Sequence, residues 1–524
     1  MTGGAAAGLS AGAPRVPLLP KVHATVVHML AETVAEAGDR TALVCGDIQL
    51  SYAEYLRCVA GFARLLQDLG AGPGERVALL LGNSAEMAIA MYGVHAAGAQ
   101  AVPLNPVYTE RELRLILGDA APVAIVHDQA TEARVGALAP ELGIAHRLKV
   151  GPGGGDLTAW RDDARATLPQ PLPDPKSFAT LQYTGGTTGR PKGVNNAHDQ
   201  MAINISQREA VIPTDPAGER ILCVMPLFHV FAVSMCLHLA AYCRGTLIVL
   251  PRYKSDIVLE TLARERISFL PAGPTIFNGL LAHPEFARTD FSALRCCVSG
   301  SAPLPEQTLR AWQAATGSFI LEGYGQTEAG PVLTYNPAAG TRKVGSVGPA
   351  LPLTEVEIVD VETGTKTLPA GRQGEIRARG PQIMSGYRNL PRETAETLRD
   401  GWLYTGDIGE LDDDGYLFIR DRKKDMAIVG GYNVYPREVD EVLYAHPAVL
   451  EAAAVGVPDA YRGEVIRAYV VLRPEARATA EALLDHCRAN LAKYKVPAAI
   501  VPVDALPKTP VGKIDKKALR ARPV

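Results

Sequence analysis

The sequence predicts an α/β protein with a large, multi-subdomain N-terminal domain and a small α+β C-terminal domain. Three observations carry this. Capped helical segments alternate with short apolar runs through the first part of the chain. That is the pattern of βαβ units, which build mostly parallel sheets with helices on their faces. The texture changes at Leu351, where EVEIVD, GEIRARG and GYLFIRD read as short alternating strands separated by Gly and Asp, as in a small antiparallel or β-barrel-like subdomain. A charged junction, DRKKD at residues 421–425, then precedes a last stretch with apolar segments of its own, as expected of a separate small domain.

The elements follow in order. Residues 1–20 are rich in Gly and Ala and carry no cation before Arg15, so they lack the basic start of a signal peptide and read as a flexible tail. Ser51 and Glu54 form a capping box, opening a helix that runs toward Leu69 and stops at Gly70. Residues 76–81 (RVALLL) read as a buried strand, 85–97 as a helix and 101–104 as another strand. GPGGG at 151–155 and PQPLPDP at 169–175 read as surface connections, and 178–183 as a strand. Residues 221–242 hold no Asp, Glu, Lys or Arg, yet contain Pro226, His229, Ser234 and His238. A strand, a turn and a buried helix account for that composition better than a membrane span. VDEVLYAHPAV, EAAAVGV, IRAYVVL and ALLDHCRANL supply the helices and strands of the C-terminal domain.

The bulk numbers narrow the function classes. The chain has 524 residues, 47% hydrophobic and 21% charged, with a formal net charge of −3. This is an ordinary globular balance with no global case for nucleic-acid binding. The eight cysteines (Cys45, Cys58, Cys223, Cys236, Cys243, Cys296, Cys297 and Cys487) form no C-x-x-C and read as reduced, mostly buried thiols. A cytoplasmic location without an integral membrane segment is expected.

The chemistry announces itself at YTGGTTGRPKGV, residues 183–194. Gly185, Gly186 and Gly189 let backbone amides approach a phosphate, Thr184, Thr187 and Thr188 add hydroxyl donors, and Lys192 adds charge. Yet this is not the G-x-x-x-x-G-K-[S/T] loop that opens a helix, because Pro191 precedes Lys192 and Gly193 follows it.

The stretch resembles the phosphate-binding signature of the adenylate-forming superfamily, which includes acyl- and aryl-CoA synthetases, non-ribosomal adenylation domains and firefly luciferase. Gly185 stands where serine is often found. The family's further motifs follow in order: VSGSAPL (298–304), LEGYGQTEAG (321–330), YTGDIG (404–409), DRKKDMAIVGGYNVYPREVDEV (421–442) and PKTPVGKIDKKALR (507–520). The resemblance covers nearly everything after residue 25, and RKKDMAIVGGYNVYP is most similar to fatty-acid CoA ligases. It implies two mostly parallel αβαβα-type sheets plus a small β-barrel in residues 21–423, a hinge at Lys424, and a mobile C-terminal lid in 425–524.

It also implies roles. ATP, Mg²⁺ and coenzyme A are the expected cofactors, and a small carboxylic acid the substrate. Glu328 is the expected magnesium ligand and Thr327 a hydrogen-bond donor to the α-phosphate. Tyr324 is expected to stack on adenine, enclosed by Gly300, Ser301, Ala302, Glu322, Gly323 and Gly325. Asp407 and Arg422 are expected at the ribose. Lys513, one of four lysines in a charged tail that alone would read as solvated, is expected to bridge the carboxylate and the α-phosphate. Rotation about Lys424 would then bring Gly430, Gly431 and Tyr432 to a pantetheine tunnel. His229 is an expected gate to the acyl pocket, whose walls would include Val230, Pro274, Gly323 and Gln326. YKVP (494–497) and PDAYRGE (458–464) look more like free-standing CoA ligases than carrier-loading enzymes. A carrier-protein phosphopantetheine as acyl acceptor, a catalytically silent nucleotide or acyl-AMP sensor, and a homodimer stay open.

Overall fold

The computed structural model describes residues 19–184, 191–216, 218–429, 432–459, 461–474, 476–509 and 513–522. Two large sheets form the N-terminal body. One has eight strands, in the order Thr334–Tyr335, Phe319–Tyr324, Cys296–Ser299, Phe269–Ala272, Arg220–Cys223, Thr246–Val249, Thr41–Cys45, Ile48–Ser51. Its six central strands are parallel, and only the two outermost pairings are antiparallel. The other has seven: Gly386–Tyr387, Lys192–Ala197, Phe178–Thr184, Gln100–Pro103, Arg76–Leu80, Ala124–His127, His146–Lys149.

Local chemistry explains the elements. Ser51 Oγ accepts from Glu54 N while the Glu54 carboxylate accepts from Ser51 N, so the expected capping box opens the Tyr52–Asp68 helix. Gly70 follows at φ +82, the left-handed conformation that glycine adopts freely. Thr109 and Glu112 make a second box at the Glu110–Ala120 helix. The Ala85–Ala96 helix is apolar all round and, Glu86 apart, buried throughout, so it lies inside the body. Residues 221–242 hold a strand, a turn and a buried helical stretch, as the composition suggested. Among the described residues no helix is long and apolar enough to cross a membrane.

PQPLPDP is a connection of mixed exposure: Gln170, Pro171 and Asp174 are exposed, as expected, while Pro169 and Pro173 are buried where Leu168 and the half-buried Leu172 pack on the main core. All eight cysteines are free; seven are buried and Cys45 is half-buried.

After Leu351 come the short antiparallel strands. Glu355–Val359, Gly374–Arg379, Trp402–Leu411 and Leu398–Arg399 pair in that order, and Leu417–Arg422 pairs with Trp402–Leu411. The last sheet orders Tyr432–Val434, Ala427–Val429, Gly463–Leu472 and Val449–Asp459, with Ala499–Pro502 parallel to Gly463–Leu472. Its core of Val434, Val439, Leu443, Ala454, Ala468 and Leu483 is separate from that of the body.

Candidate active site

The glycine-rich loop connects two antiparallel strands, with Thr184 opposite Lys192. This accounts for Pro191 and Gly193: the chain turns back into a strand instead of opening a helix. Gly185, Gly186, Thr187, Thr188 and Gly189 lie outside the described residues. Lys192, at the foot of the hairpin, holds its ammonium 4.8 Å from the centre of the Tyr387 ring, a cation–π contact. The Tyr387 hydroxyl donates a 2.8 Å hydrogen bond to Glu328 Oε1. Tyr387 reaches this place because Gly386–Tyr387 pairs along the Lys192–Ala197 edge, Tyr387 opposite Val194.

Glu328 and Thr327 sit on a short 3-10 turn, Thr327–Ala329, just beyond the Phe319–Tyr324 strand. Burial raises the Glu328 pKa, opposed by the Tyr387 hydrogen bond and the Lys192 charge. The backbone around the turn is tightly fitted. A Cβ on Gly323 would lie 2.3 Å from the Tyr335 ring, so this strand end admits only glycine without rearrangement. Glu322, buried, accepts a 3.1 Å hydrogen bond from Leu304 N and so ties VSGSAPL to this strand. Burial pushes its pKa up to about 7, against the pull of Arg437. Between them, Gly300, Ser301 and Ala302 leave the Cys296–Ser299 strand in a sharp turn, with Ser301 at φ +70. The whole group lies past the carboxyl ends of parallel strands, where open α/β sheets place their ligands.

A second group faces it. Asp407 pairs with Arg422 across two antiparallel strands, and Arg422 Nε is 3.6 Å from Asp407 Oδ1. The Tyr324 hydroxyl donates to Asp407 Oδ2 at 2.6 Å. Burial raises the Asp407 pKa; Arg422 and Tyr324 oppose the rise.

Lys513 joins these residues from the far end of the chain. Thr509 N donates to Lys513 O at 2.6 Å, and Lys513 N donates to Thr509 Oγ1 at 3.2 Å. Burial and then the Arg422 charge lower its pKa to about 8, while Asp407 and Glu328 pull it back up. His229 feels the same ammonium: burial, then Lys513, depress its pKa to about 3. The neutral ring accepts a 3.3 Å hydrogen bond from Phe231 N through Nδ1, so His229 also caps the helical stretch that follows.

The expected hinge residue Lys424 lies in an exposed turn between the strands Leu417–Arg422 and Ala427–Val429. Asp425 beside it accepts from Arg520 at 2.5 Å. Gly430 and Gly431 lie outside the described residues. Tyr432 is exposed and stacks on Tyr494, ring centroids 4.6 Å apart.

Of the expected acyl-pocket residues, Val230 lines a cavity together with Thr180, Gln182, Asn196 and His238. Pro274, buried at the start of the Pro274–Leu281 helix, Gly323 and Gln326 do not line it. Sequence reasoning missed Tyr387, Gln182 and Asn196. The Gln182 amide donates 3.0 Å to Phe228 O, and that of Asn196 donates 3.4 Å to Thr327 O. A signal for Gln182 was the polar residue between Leu181 and Tyr183 in a mostly buried strand, since such groups are kept only where they find partners; Asn196, in the polar stretch KGVNNA, left none.

The chain is similar to known proteins over most of its length. The AMP-binding enzyme family matches residues 30–388, and the AMP-binding enzyme C-terminal domain matches 438–513. A long-chain-fatty-acid–CoA ligase of Bacillus subtilis is 37% identical over 532 residues, 96% of this chain and 95% of that protein. ATP-bound MatB from Rhodopseudomonas palustris superposes with a TM-score of 0.88 at 34% identity, over 95% of this chain and 98% of that one. The anthranilate CoA ligase AuaEII, in complex with anthranoyl-AMP, gives 0.89 at 30% identity over 96% and 98%. The chain therefore belongs to the AMP-binding enzyme family, the adenylate-forming superfamily, as an AMP-forming acid–thiol ligase of its acyl-CoA synthetase branch.

Proposed function

We propose that the protein activates a hydrophobic carboxylic acid, a medium- or long-chain fatty acid or another bulky apolar acid, and joins it to coenzyme A. The observation that carries this reading is the cluster of charges in the site: Tyr324 and Arg422 on Asp407, Tyr387 on Glu328, and the Lys513 ammonium near enough to feel Arg422, Asp407 and Glu328. A carboxylate is a poor electrophile. It becomes a good one by attacking the α-phosphorus of ATP, which forms acyl-AMP and expels pyrophosphate. Two anions meet in that step, so oriented cations and donors lower its barrier.

Each group has a part. Lys192 and the amides and hydroxyls of residues 184–189 hold the β- and γ-phosphates as the leaving group. Lys513 neutralises the carboxylate and the α-phosphate as they approach, and Thr327 donates to that phosphate. Asp407, oriented by Tyr324 and Arg422, accepts from the ribose hydroxyls. Tyr324, Glu322, Gly300, Ser301, Ala302 and Gly325 enclose the adenine. Glu328 suits a magnesium ion: it offers a hard oxygen donor whose buried charge a divalent cation would offset. When bound, that ion supplies charge neutralisation along the phosphates.

Thiol transfer needs other neighbours. The lid turns about Lys424, withdraws Lys513, and presents Gly430, Gly431 and Tyr432 to the pantetheine arm. The coenzyme A sulfur then attacks the acyl carbonyl, and AMP leaves.

The test has two stages. Acid-dependent ATP–pyrophosphate exchange is expected with apolar acids; its absence with every acid at saturating Mg-ATP would leave a silent sensor. Thioester formation is then compared between coenzyme A and holo-carrier protein, and preference for the carrier would overturn the acceptor.

A further inference from the structure

Next to the reaction centre the body encloses a cavity of about 20 Å³ whose wall is more polar than an apolar acid requires. Thr180, Gln182, Asn196, Ser234 and His238 contribute to it, and Val230, the residue after His229, also lines it. Two of these residues carry a buried atom that makes no hydrogen bond among the described residues: Asn196 Oδ1 and His238 Nε2. The side chains are 2% and 1% exposed. Such atoms are costly to bury unpaired and are nearly always satisfied. The other end of the Asn196 amide donates to Thr327 O, and Gln182 donates to Phe228 O, next to His229. The cavity is thus built into the same two segments that carry the reacting groups.

Its chemistry is selective. Among the described residues no Asp, Glu, Lys or Arg lines it, so neither an ammonium nor a second carboxylate finds a counter-charge there. His238 stands in a π-helical turn, Val233–His238, a geometry common at functional sites. Its ring packs against Tyr92 at 5.3 Å and His95 at 6.1 Å, centroid to centroid, and both of those are buried. Burial keeps His238 neutral, so the imidazole offers one donor and one acceptor. A hydroxyl both gives a proton and accepts one, and its size suits a space that holds one water-sized group.

Resting on the adenylation reading above, we propose that this cavity forms part of the acid's pocket and that the acid carries a hydroxyl there, donating to Asn196 Oδ1 and accepting from His238 Nε2. The substrate class is then a hydroxylated, otherwise apolar acid, in preference to a plain alkyl or aryl one.

Matched acids test this. ATP–pyrophosphate exchange is measured with cinnamate, its ring-hydroxylated forms and their O-methyl ethers, and with straight-chain acids against their positional hydroxy acids. In at least one frame the hydroxy acid is expected to exceed its deoxy partner and its methyl ether about tenfold or more in kcat/KM, since a site built for a hydroxyl rejects analogues lacking it. His238→Phe and Asn196→Leu are each expected to bring that ratio toward one, while His238→Gln, which keeps a donor, retains most of it. Exchange that is equal or better with every deoxy acid, or a hydroxyl advantage that survives both substitutions, overturns the proposal and leaves the adenylation reading standing; the cavity then holds a structural water. Exchange with no acid of either series defeats both.

Discussion

The Tyr324 hydroxyl donates a 2.6 Å hydrogen bond to Asp407 Oδ2, while Arg422 faces the other oxygen at 3.6 Å. The carboxylate is therefore held from both sides before any nucleotide arrives. Removing the phenol oxygen loses one hydrogen bond to a charged acceptor, and such bonds contribute about 1.5–3 kcal/mol. Tyr324→Phe is expected to raise the KM for ATP about tenfold or more, by the same reasoning, with kcat changed much less. Steady-state kinetics with ATP varied at saturating acid checks it. An unaltered KM would mean that Asp407 needs no help to meet its ligand.

Tyr387 does for Glu328 what Tyr324 does for Asp407. Its hydroxyl bonds Glu328 Oε1 at 2.8 Å and its ring lies under the Lys192 ammonium. Tyr387→Phe keeps the ring and removes the donor that stabilises the carboxylate anion. Burial already raises the Glu328 pKa, and loss of the donor raises it further, so less of the anion is present at a given pH. The magnesium concentration for half-maximal exchange is expected to increase several-fold, and more at pH 6 than at pH 8, by that shift in protonation. Titration of Mg²⁺ at both pH values decides. An equal requirement in variant and parent would separate Tyr387 from the metal site.

These two tyrosines also show how far the sequence was legible. The capping box at Ser51 and Glu54 was readable to the residue, because both halves of the interaction lie within one turn. The Glu328 and Asp407 assignments rested on ordered motifs, and the structure brings them together with Lys192, Arg422 and Lys513. Tyr387 left no such trace. It is delivered by a two-residue strand that pairs with the hairpin edge far away in sequence. The Asn196–His238 cavity was hidden for a similar reason. Asn196 lies on a strand and His238 on a π-turn, and no single periodicity joins them. PQPLPDP was legible in part: Gln170, Pro171 and Asp174 are exposed as Pro- and Asp-rich connections suggest, whereas the burial of Pro169 and Pro173 goes with Leu168 and Leu172, which pack on the main core.

The turn around Lys424 bears on the division of labour between the half-reactions. In the present pose Lys513 lies with the adenylation groups, so stiffening the turn should preserve that pose and impede departure from it. Lys424 is exposed. Proline fixes φ near −65° and thereby restricts rotation. Lys424→Pro is expected to hold ATP–pyrophosphate exchange within about threefold and to slow thioester formation from preformed acyl-AMP about a hundredfold, the pattern of a blocked conformational step. The two half-reactions are measured separately. Equal loss in both, or in neither, would move the hinge elsewhere.

The alkaline limb of the pH profile tests Lys513 itself. Burial and Arg422 depress its pKa to about 8 from an ordinary lysine value. The working form is the ammonium, which is present below that pH and lost above it. For the free enzyme, kcat/KM for ATP is expected to fall about tenfold per pH unit above the pKa, because this parameter reports free-enzyme ionisations. Bound phosphates stabilise the cation, so the limb in kcat moves to higher pH. Arg422→Gln removes a neighbouring like charge and is expected to shift the limb in kcat/KM upward, whatever it costs in absolute rate at the ribose. Lys513→Arg, which stays charged throughout, is expected to be slow and to lack the limb. A parental profile flat from pH 7 to 9.5, or a limb that persists unchanged in Lys513→Arg, would assign the titration to another group and take Lys513 out of the adenylation step.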